Sequence, residues 1–191
     1  MKFSELPSSA DVEQELKHER YKIRYKRTLK STIFALITAA AAAVLVATLW
    51  LPVLQIFGSS MTPTLQEGQI VVSVKVKEME PGDIVAFYYG NKVLIKRYIA
   101  GPGVWVDIQE DGTILLDGEI LEEPYLTEKS LGITDLEYPY QVPDGHYFLV
   151  GDQRDTSVDS RHSSVGCIAS DKLVGKIVFR VWPMDVFGVV E

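Results

Sequence analysis

The chain has 191 residues, of which 47% are hydrophobic and 24% are charged, and its net charge is −7. This length fits one globular domain with an additional segment. The single cysteine, Cys167, excludes an internal disulfide. Residues 1–30 carry eight Lys and Arg against five Asp and Glu, and residues 31–57 carry no charge, so residues 58–191 hold a net −10. An acidic body of this kind disfavours nucleic acid as a partner.

Residues 31–57, STIFALITAAAAAVLVATLWLPVLQIF, form an uncharged apolar segment. As a helix, with a rise of about 1.5 Å per residue, they would measure roughly 40 Å, more than the ~30 Å hydrocarbon core of a bilayer. The sequence therefore predicts one transmembrane helix. A cleavable secretory signal is the alternative, although both the apolar segment and the region before it are longer than such signals usually have.

Basic residues are concentrated on one side of this segment. Seven Lys and Arg lie between Lys17 and Lys30, whereas the first basic residue after the segment is Lys75. By the positive-inside rule, this asymmetry predicts a single-pass protein of the cell membrane, with residues 1–30 in the cytoplasm and residues 58–191 outside it.

Beyond Pro63 the sequence favours short strands. Apolar, β-branched and aromatic runs occur at residues 69–76, 83–89, 92–99, 104–108, 113–116, 119–121, 146–152 and 172–182. Turn signals separate them, and Asp117-Gly118 is typical of a hairpin tip. These features predict that residues 58–191 form one mostly antiparallel β domain, arranged as coiled sheets or as a distorted barrel. Residues 123–144, rich in proline and acids, are expected to form a surface excursion over the sheet.

The first candidate site lies in GSSMTPTL, residues 58–65, directly after the apolar segment. Gly, Ser and Pro favour a turn, so Ser60 is either part of a turn or a nucleophile. A serine hydroxyl becomes a good nucleophile only when a base removes its proton. Lys96, in the run VLIKRYIAG, fits this role if its apolar neighbours lower its pKa. The alternative is a lysine whose amine reaches water from an exposed strand.

A third stretch, GDQRDTSVDSRHS at residues 151–163, collects acids, arginines and serines in one loop. A solvated polar loop with surface ion pairs explains it equally well. Histidine offers another base, because a Ser60/His162/Asp159 triad is formally possible. His146 and His162 are otherwise ordinary polar residues, and His18 lies on the cytoplasmic side in the predicted topology.

In this order, SMTPTL after an apolar segment, IKRYIAGPG and GDQRDTSVDSR resemble the conserved boxes of type I signal peptidases, membrane-bound serine proteases with a Ser/Lys dyad. The resemblance extends from the apolar segment through nearly the whole body. It implies that Ser60 is the nucleophile, that Lys96 is its general base and that Ser157 orients the lysine amine. It also implies that Asp152, paired with Arg97, and Asp159 with Arg161 support the site.

The same resemblance implies a substrate groove and an oxyanion hole. The groove residues would be Gln55, Ile56, Met61, Leu94 and Ile95, whose shallow pockets would select small side chains at the first and third positions before the cut. The oxyanion would be bound by the backbone N–H of Ser60 and a second donor. Part of the family uses a serine hydroxyl where this chain has Gly58, so either the backbone of Gly58 contributes the second donor or the oxyanion hole is weaker. Gln153 also replaces the asparagine that this box usually has.

The expected activity is therefore removal of signal peptides from exported preproteins through an acyl-enzyme. Preproteins and membrane lipid are the expected partners, and no cofactor, metal or nucleic acid is expected. Two alternatives remain: a catalytically silent, membrane-anchored β module that binds peptides, and a self-cleaving Ser/Lys protein of the repressor type. The apolar segment counts against the second, and the presence of both Ser60 and Lys96 counts against the first.

Overall fold

The computed structural model describes residues 9–190 and begins with a long helix. This helix, α1, spans Ser9–Trp50. Its Val12–Leu45 stretch is long and apolar enough to cross a membrane by length and composition, and it is the one such helix in the described part of the chain. A signal sequence would meet the same criteria. Residues 1–8 of the predicted cytoplasmic segment lie outside the described residues.

The helix ends earlier than the sequence predicted. It stops at Trp50 rather than Phe57, and residues Val53–Gln55 form a strand. Pro52 explains the difference, because proline disfavours helical geometry at the preceding residue and provides no N–H for a helical hydrogen bond. The chain divides into two compact units at the same place, between Leu49 and Trp50. The β unit therefore begins several residues before the predicted boundary at residue 58.

Residues 50–190 contain twelve short strands. They are β1 (Val53–Gln55), β2 (Ile70–Val74), β3 (Ile84–Tyr89), β4 (Lys92–Ala100), β5 (Trp105–Ile108), β6 (Ile114–Leu116), β7 (Glu119–Ile120), β8 (Tyr140–Gln141), β9 (His146–Val150), β10 (Ile168–Ala169), β11 (Leu173–Trp182) and β12 (Gly188–Val189). The larger sheet has the order β1-β2-β11-β3-β4-β9-β10, with β12 on β11, and the smaller sheet has the order β7-β6-β5-β8.

The pairings confirm a mostly antiparallel β fold. Every described strand pair is antiparallel, and the two sheets are open within the described residues rather than closed into a barrel. The predicted hairpin is present, since Leu116 pairs with Glu119 across a turn. Its two turn residues, Asp117 and Gly118, have φ of +50° and +88°. Positive φ at both positions suits this dipeptide and matches the twist of the strands.

Strand β4 is central to the position of the site. Residues Lys92–Arg97 pair with β3, and residues Arg97–Ala100 pair with β9. Among the described strands, the first half of β4 is therefore paired on one side only. Its residues are exposed at Lys92 and buried from Lys96 onward. Because β9 leads directly into residue 151, this pairing brings the polar loop 151–163 next to Lys96.

Residues 123–144 are more than a surface excursion, and that expectation is wrong in part. Glu123 and Val142 are buried, with 6% and 1% exposure. The half-buried side chains of Leu131, Leu136 and Tyr138 pack against the core between the smaller sheet and β9. The segment has little regular structure, yet it covers the end of the core beside loop 151–163.

Candidate active site

The turn that carries Ser60 is held by buried side chains that follow it and by a backbone hydrogen bond. Met61 and Leu65 are buried with 2% and 0% exposure, and they pack into the core with residues of β2, β3 and β11. The carbonyl oxygen of Ser60 accepts a hydrogen bond of 3.0 Å from the backbone N–H of Gln153. Ser60 itself is half-buried. The local sequence therefore forms a turn, as its composition indicates, and this turn is fastened to loop 151–163.

Gly58, two residues earlier, has a φ of +82°, in the left-handed region that favours glycine. A Cβ at this position would meet no atom within 4 Å, so the backbone conformation rather than space restricts the residue. A serine here, as in part of the resembling family, would be strained in this backbone.

Lys96 is buried in the middle of β4, with 4% exposure. Its amine donates a hydrogen bond of 2.8 Å to the hydroxyl of Ser157, whose residue is 2% exposed. Burial lowers the pKa of Lys96 from 10.5 to about 8, opposed by the negative charges of Asp159 and Asp152 and reinforced by the positive charge of Arg161. The lysine is thus not extended into water from an exposed strand. A substantial fraction of it is neutral near pH 8.

Ser60 and Lys96 line the same cavity. It has a volume of about 690 Å³ and is bordered by residues 53–58, 60–61 and 92–96. All five residues expected in a substrate groove contribute to its wall: Gln55, Ile56, Met61, Leu94 and Ile95. Gln55 is exposed, Leu94 and Ile95 are half-buried, and Ile56 and Met61 are buried. The cavity is therefore a largely apolar groove whose wall includes both a serine and a buried lysine.

A fully buried ion pair joins the lysine strand to the polar loop. Arg97 donates from Nε to one oxygen of Asp152 at 2.8 Å and from a terminal nitrogen to the other at 2.6 Å. Both side chains are at most 1% exposed. The hydroxyl of Thr64 donates to the same carboxylate at 2.5 Å. Three segments that are distant in sequence therefore meet at Asp152: the Ser60 turn, β4 and loop 151–163.

A second buried pair, Asp159 with Arg161, holds the polar loop itself. The guanidinium donates to both carboxylate oxygens at 2.9 Å. Arg161 also donates to the backbone carbonyls of Leu131 and Arg154 at 2.9 Å each. Burial alone would raise the pKa of Asp159, but the hydrogen bonds and charge of Arg161 and the N–H of Gly151 outweigh it and lower the pKa.

The structure does not assemble the Ser60/His162/Asp159 triad. Asp159 is occupied by Arg161, and the imidazole of His162 lies 2.9 Å from the hydroxyl of Ser164 and 3.8 Å from Asp135. His162 is not among the residues that border the cavity. Among the described residues, no group of three or more His, Cys, Asp or Glu is placed to hold a metal ion.

Sequence reasoning missed several residues of the network. Glu123 forms a buried ion pair with Arg154, and Tyr125 places its ring 3.6 Å from the guanidinium carbon of Arg97. Thr64 was likewise not singled out. Nothing in the local pattern of EPYL indicates burial of its glutamate, because charged residues are rarely buried and the segment has no strand or helix period.

Comparisons with known proteins agree with the resemblance noted in the sequence. The family described as signal peptidase, peptidase S26, matches residues 29–182. A signal peptidase IB of Staphylococcus aureus (strain COL) is 34% identical over 150 residues, covering 68% of this chain and 77% of that protein. A signal peptidase I of Bacillus amyloliquefaciens is 36% identical over 162 residues, covering 78% of this chain and 83% of that protein.

A solved structure is also similar. The crystal structure of a signal peptidase I from Enterococcus faecalis V583 aligns with 53% of this chain and 98% of its own, with a TM-score of 0.44 and 27% identity. The family match and the sequence relatives together decide the assignment: the chain belongs to the signal peptidase family, peptidase S26.

Proposed function

We propose that this protein is a membrane-anchored signal peptidase that removes signal peptides from exported preproteins, with Ser60 as nucleophile and Lys96 as general base. The observation that carries this proposal is the buried amine of Lys96, which borders the same cavity as Ser60 and is held 2.8 Å from Ser157. Membership of the signal peptidase family supports the same activity.

In the proposed reaction, neutral Lys96 takes the proton of Ser60 as the serine oxygen attacks the scissile carbonyl carbon. Collapse of the tetrahedral intermediate breaks the C–N bond, and the proton passes from Lys96 to the leaving amine. Lys96 then removes a proton from the water that attacks the ester, which releases the N-terminal product as a carboxylic acid and returns the proton to Ser60. The hydrogen bond to Ser157 fixes the direction of the amine throughout.

The developing oxyanion would be bound by the backbone N–H of Ser60 together with the backbone at Gly58. Losing one such donor typically costs about 10²–10³ in rate. The positive φ of Gly58 turns the chain two residues before the nucleophile, and a turn of this kind can direct successive N–H groups toward an anion. This role of the backbone is compatible with the absence of a serine hydroxyl at position 58.

The substrate would bind as an extended strand in the groove. Within the described residues 9–190, strand β1 is the end strand of the larger sheet, and Lys92–Lys96 of β4 pair with β3 alone, so one edge of each is open to a further strand. An extended peptide can pair with such edges. The apolar side chains of Ile56, Met61, Leu94 and Ile95 would line shallow pockets that favour small residues at the first and third positions before the cut.

The same proposal covers location and topology. The uncharged part of α1, from residue 31 onward, would anchor the protein in the cell membrane, with the basic residues 1–30 in the cytoplasm and the β unit outside. Phe57 and Trp182 are 77% and 53% exposed, as expected of side chains that contact lipid. The net charge of −10 beyond residue 57 argues against nucleic acid as a partner.

The test is cleavage of a detergent-solubilised preprotein by the full chain and by Ser60→Ala and Lys96→Ala, with sequencing of the new N-terminus. We expect the parent to cut after a small-x-small pattern and both folded variants to be inactive. Full activity of Lys96→Ala would exclude the lysine as base. Binding of the preprotein without any cleavage by the parent would instead identify a silent peptide-binding module.

A further inference from the structure

Glu123 is a buried carboxylate outside the residues that the mechanism uses. Its side chain is 0% exposed, and it forms an ion pair with Arg154, whose side chain is 2% exposed. Two hydrogen bonds join the pair, one of 3.3 Å and one shorter. Burying two charges is costly unless their geometry and remaining hydrogen bonds are well satisfied.

On one side, the ion pair is connected to Ser157 through the backbone of Gly151. Arg154 donates from Nε to the carbonyl of Gly151 at 3.1 Å, and its own carbonyl accepts from Arg161 at 2.9 Å. Gly151 lies directly against Ser157, since a Cβ on Gly151 would be 2.2 Å from the serine hydroxyl. A shift of Arg154 would therefore displace the backbone of Gly151, which lies against the side chain of Ser157.

On the other side, Glu123 is connected to the strand of Lys96 through Tyr125. Its carboxylate accepts a hydrogen bond of 3.0 Å from the hydroxyl of Tyr125. The ring of Tyr125 lies 3.6 Å from the guanidinium carbon of Arg97, the residue next to Lys96. A guanidinium over an aromatic ring at this distance is an attractive contact. The segment Glu123–Tyr125 thus contacts both elements whose side chains meet in the bond from Lys96 to Ser157.

We propose that Glu123 is a positioning residue for the Lys96–Ser157 pair, because it holds the serine loop through Arg154 and the lysine strand through Tyr125. This inference rests on the proposed Ser60/Lys96 mechanism. Misplacement of reacting groups by 1 Å can cost about 10²-fold in rate, so we expect Glu123→Gln to lower kcat by roughly tenfold or more. KM should change little, because Glu123 does not border the groove.

The test measures kcat and KM of the full chain for preprotein cleavage in detergent, in two backgrounds. In the parent, Glu123→Gln should give the kcat loss. In Ser157→Ala, which has already lost the oriented hydroxyl, the same substitution should change kcat by less than about twofold, because residues that act through one contact are not additive. An equal loss in both backgrounds would overturn the proposal, since it would show an effect independent of Ser157.

Two further variants separate a positioning effect from a general loss of stability. Glu123→Gln leaves the guanidinium of Arg154 buried without its charge partner, so Tyr125→Leu, a half-buried site, provides a milder variant with the same expected pattern. Ile114→Ala, in the core of the smaller sheet, is the stability control. If it lowers kcat as much as Glu123→Gln at a temperature where both are folded, the positioning role is refuted. A parent that leaves the preprotein intact, or an active Ser60→Ala, would instead refute the proposed function.

Discussion

The burial of Lys96 predicts an unusual stability effect for the substitution Lys96→Met. The lysine is 4% exposed, and burial lowers its pKa from 10.5 to about 8. At about 1.36 kcal/mol per pKa unit, this gap corresponds to roughly 3 kcal/mol by which folding disfavours the protonated amine. Methionine is unbranched, similar in length and uncharged, so it removes this cost.

The direction of the pH dependence follows from proton binding. Below about pH 8 the amine is protonated in both the folded and the unfolded chain, and the folded state bears the full cost. Between pH 8 and 10.5 the unfolded chain binds more protons than the folded chain, so stability of the parent rises with pH. We expect Lys96→Met to be more stable than the parent at pH 7. Removal of the disfavoured charge contributes roughly 3 kcal/mol, and loss of the hydrogen bond to Ser157 reduces this gain by about 1 kcal/mol.

The assay is equilibrium unfolding of the full chain in detergent, followed by far-UV circular dichroism at several pH values from 7 to 10.5. The stabilisation by Lys96→Met should shrink as pH rises through this range. Lys92→Met is the matched control, because Lys92 lies on the same strand but is exposed. A Lys96→Met effect that is constant from pH 7 to 10.5, or equal to that of Lys92→Met, would refute the reasoning from burial.

Three further predictions concern the network and the groove. Asp152→Asn leaves Arg97 buried without its charge partner, which should destabilise the fold by about 3–5 kcal/mol in an unfolding titration. Gly151→Ala places a Cβ 2.2 Å from the hydroxyl of Ser157, and the resulting displacement should lower kcat/KM for preprotein cleavage by about 10²-fold. Leu94→Ala removes side-chain atoms from the wall and so widens the groove. Cleavage after a larger residue, relative to cleavage after alanine, should therefore improve by about tenfold, measured with two substrates that differ only at that residue.

Each of these predictions has a control or an opposing result. Unchanged unfolding of Asp152→Asn would mean that Arg97 finds another acceptor. For Gly151→Ala the control is Gly90→Asn, since position 90 has open space around it and a φ of +58° that asparagine tolerates. Equal losses in the two glycine variants would contradict the contact with Ser157. An unchanged substrate ratio for Leu94→Ala would remove this residue from the specificity pocket.

Much of the β fold could be predicted from local sequence. The runs at residues 83–89 and 92–99 became β3 and β4, and Asp117-Gly118 formed the hairpin tip, because alternation, β-branched residues and turn chemistry act locally. The short strands β1, β8, β10 and β12 were missed. Strands of two or three residues have no detectable period, and tertiary pairing rather than propensity determines them.

The sequence indicated candidate site residues but not the contacts that bring them together. Three ordered boxes indicated Ser60, Lys96 and loop 151–163, yet their meeting depends on the pairing of β4 with β9, which no local pattern specifies. The buried contacts of Glu123 were unforeseen for the same reason. Its ion-pair partner, Arg154, lies 31 residues further along the chain. Glutamate is also a residue type that is rarely buried, so its composition gave no indication of these contacts.

The most direct test of Lys96 as general base is the pH dependence of kcat/KM for preprotein cleavage by the full chain. With a pKa of about 8, the neutral fraction of Lys96 rises from about 9% at pH 7 to about 90% at pH 9, so kcat/KM should rise about tenfold with a midpoint near pH 8. The substrate should carry no titrating group near the cut. A midpoint near 6.5, as an imidazole would give, or a flat profile between pH 7 and 9, would contradict the Ser60/Lys96 mechanism.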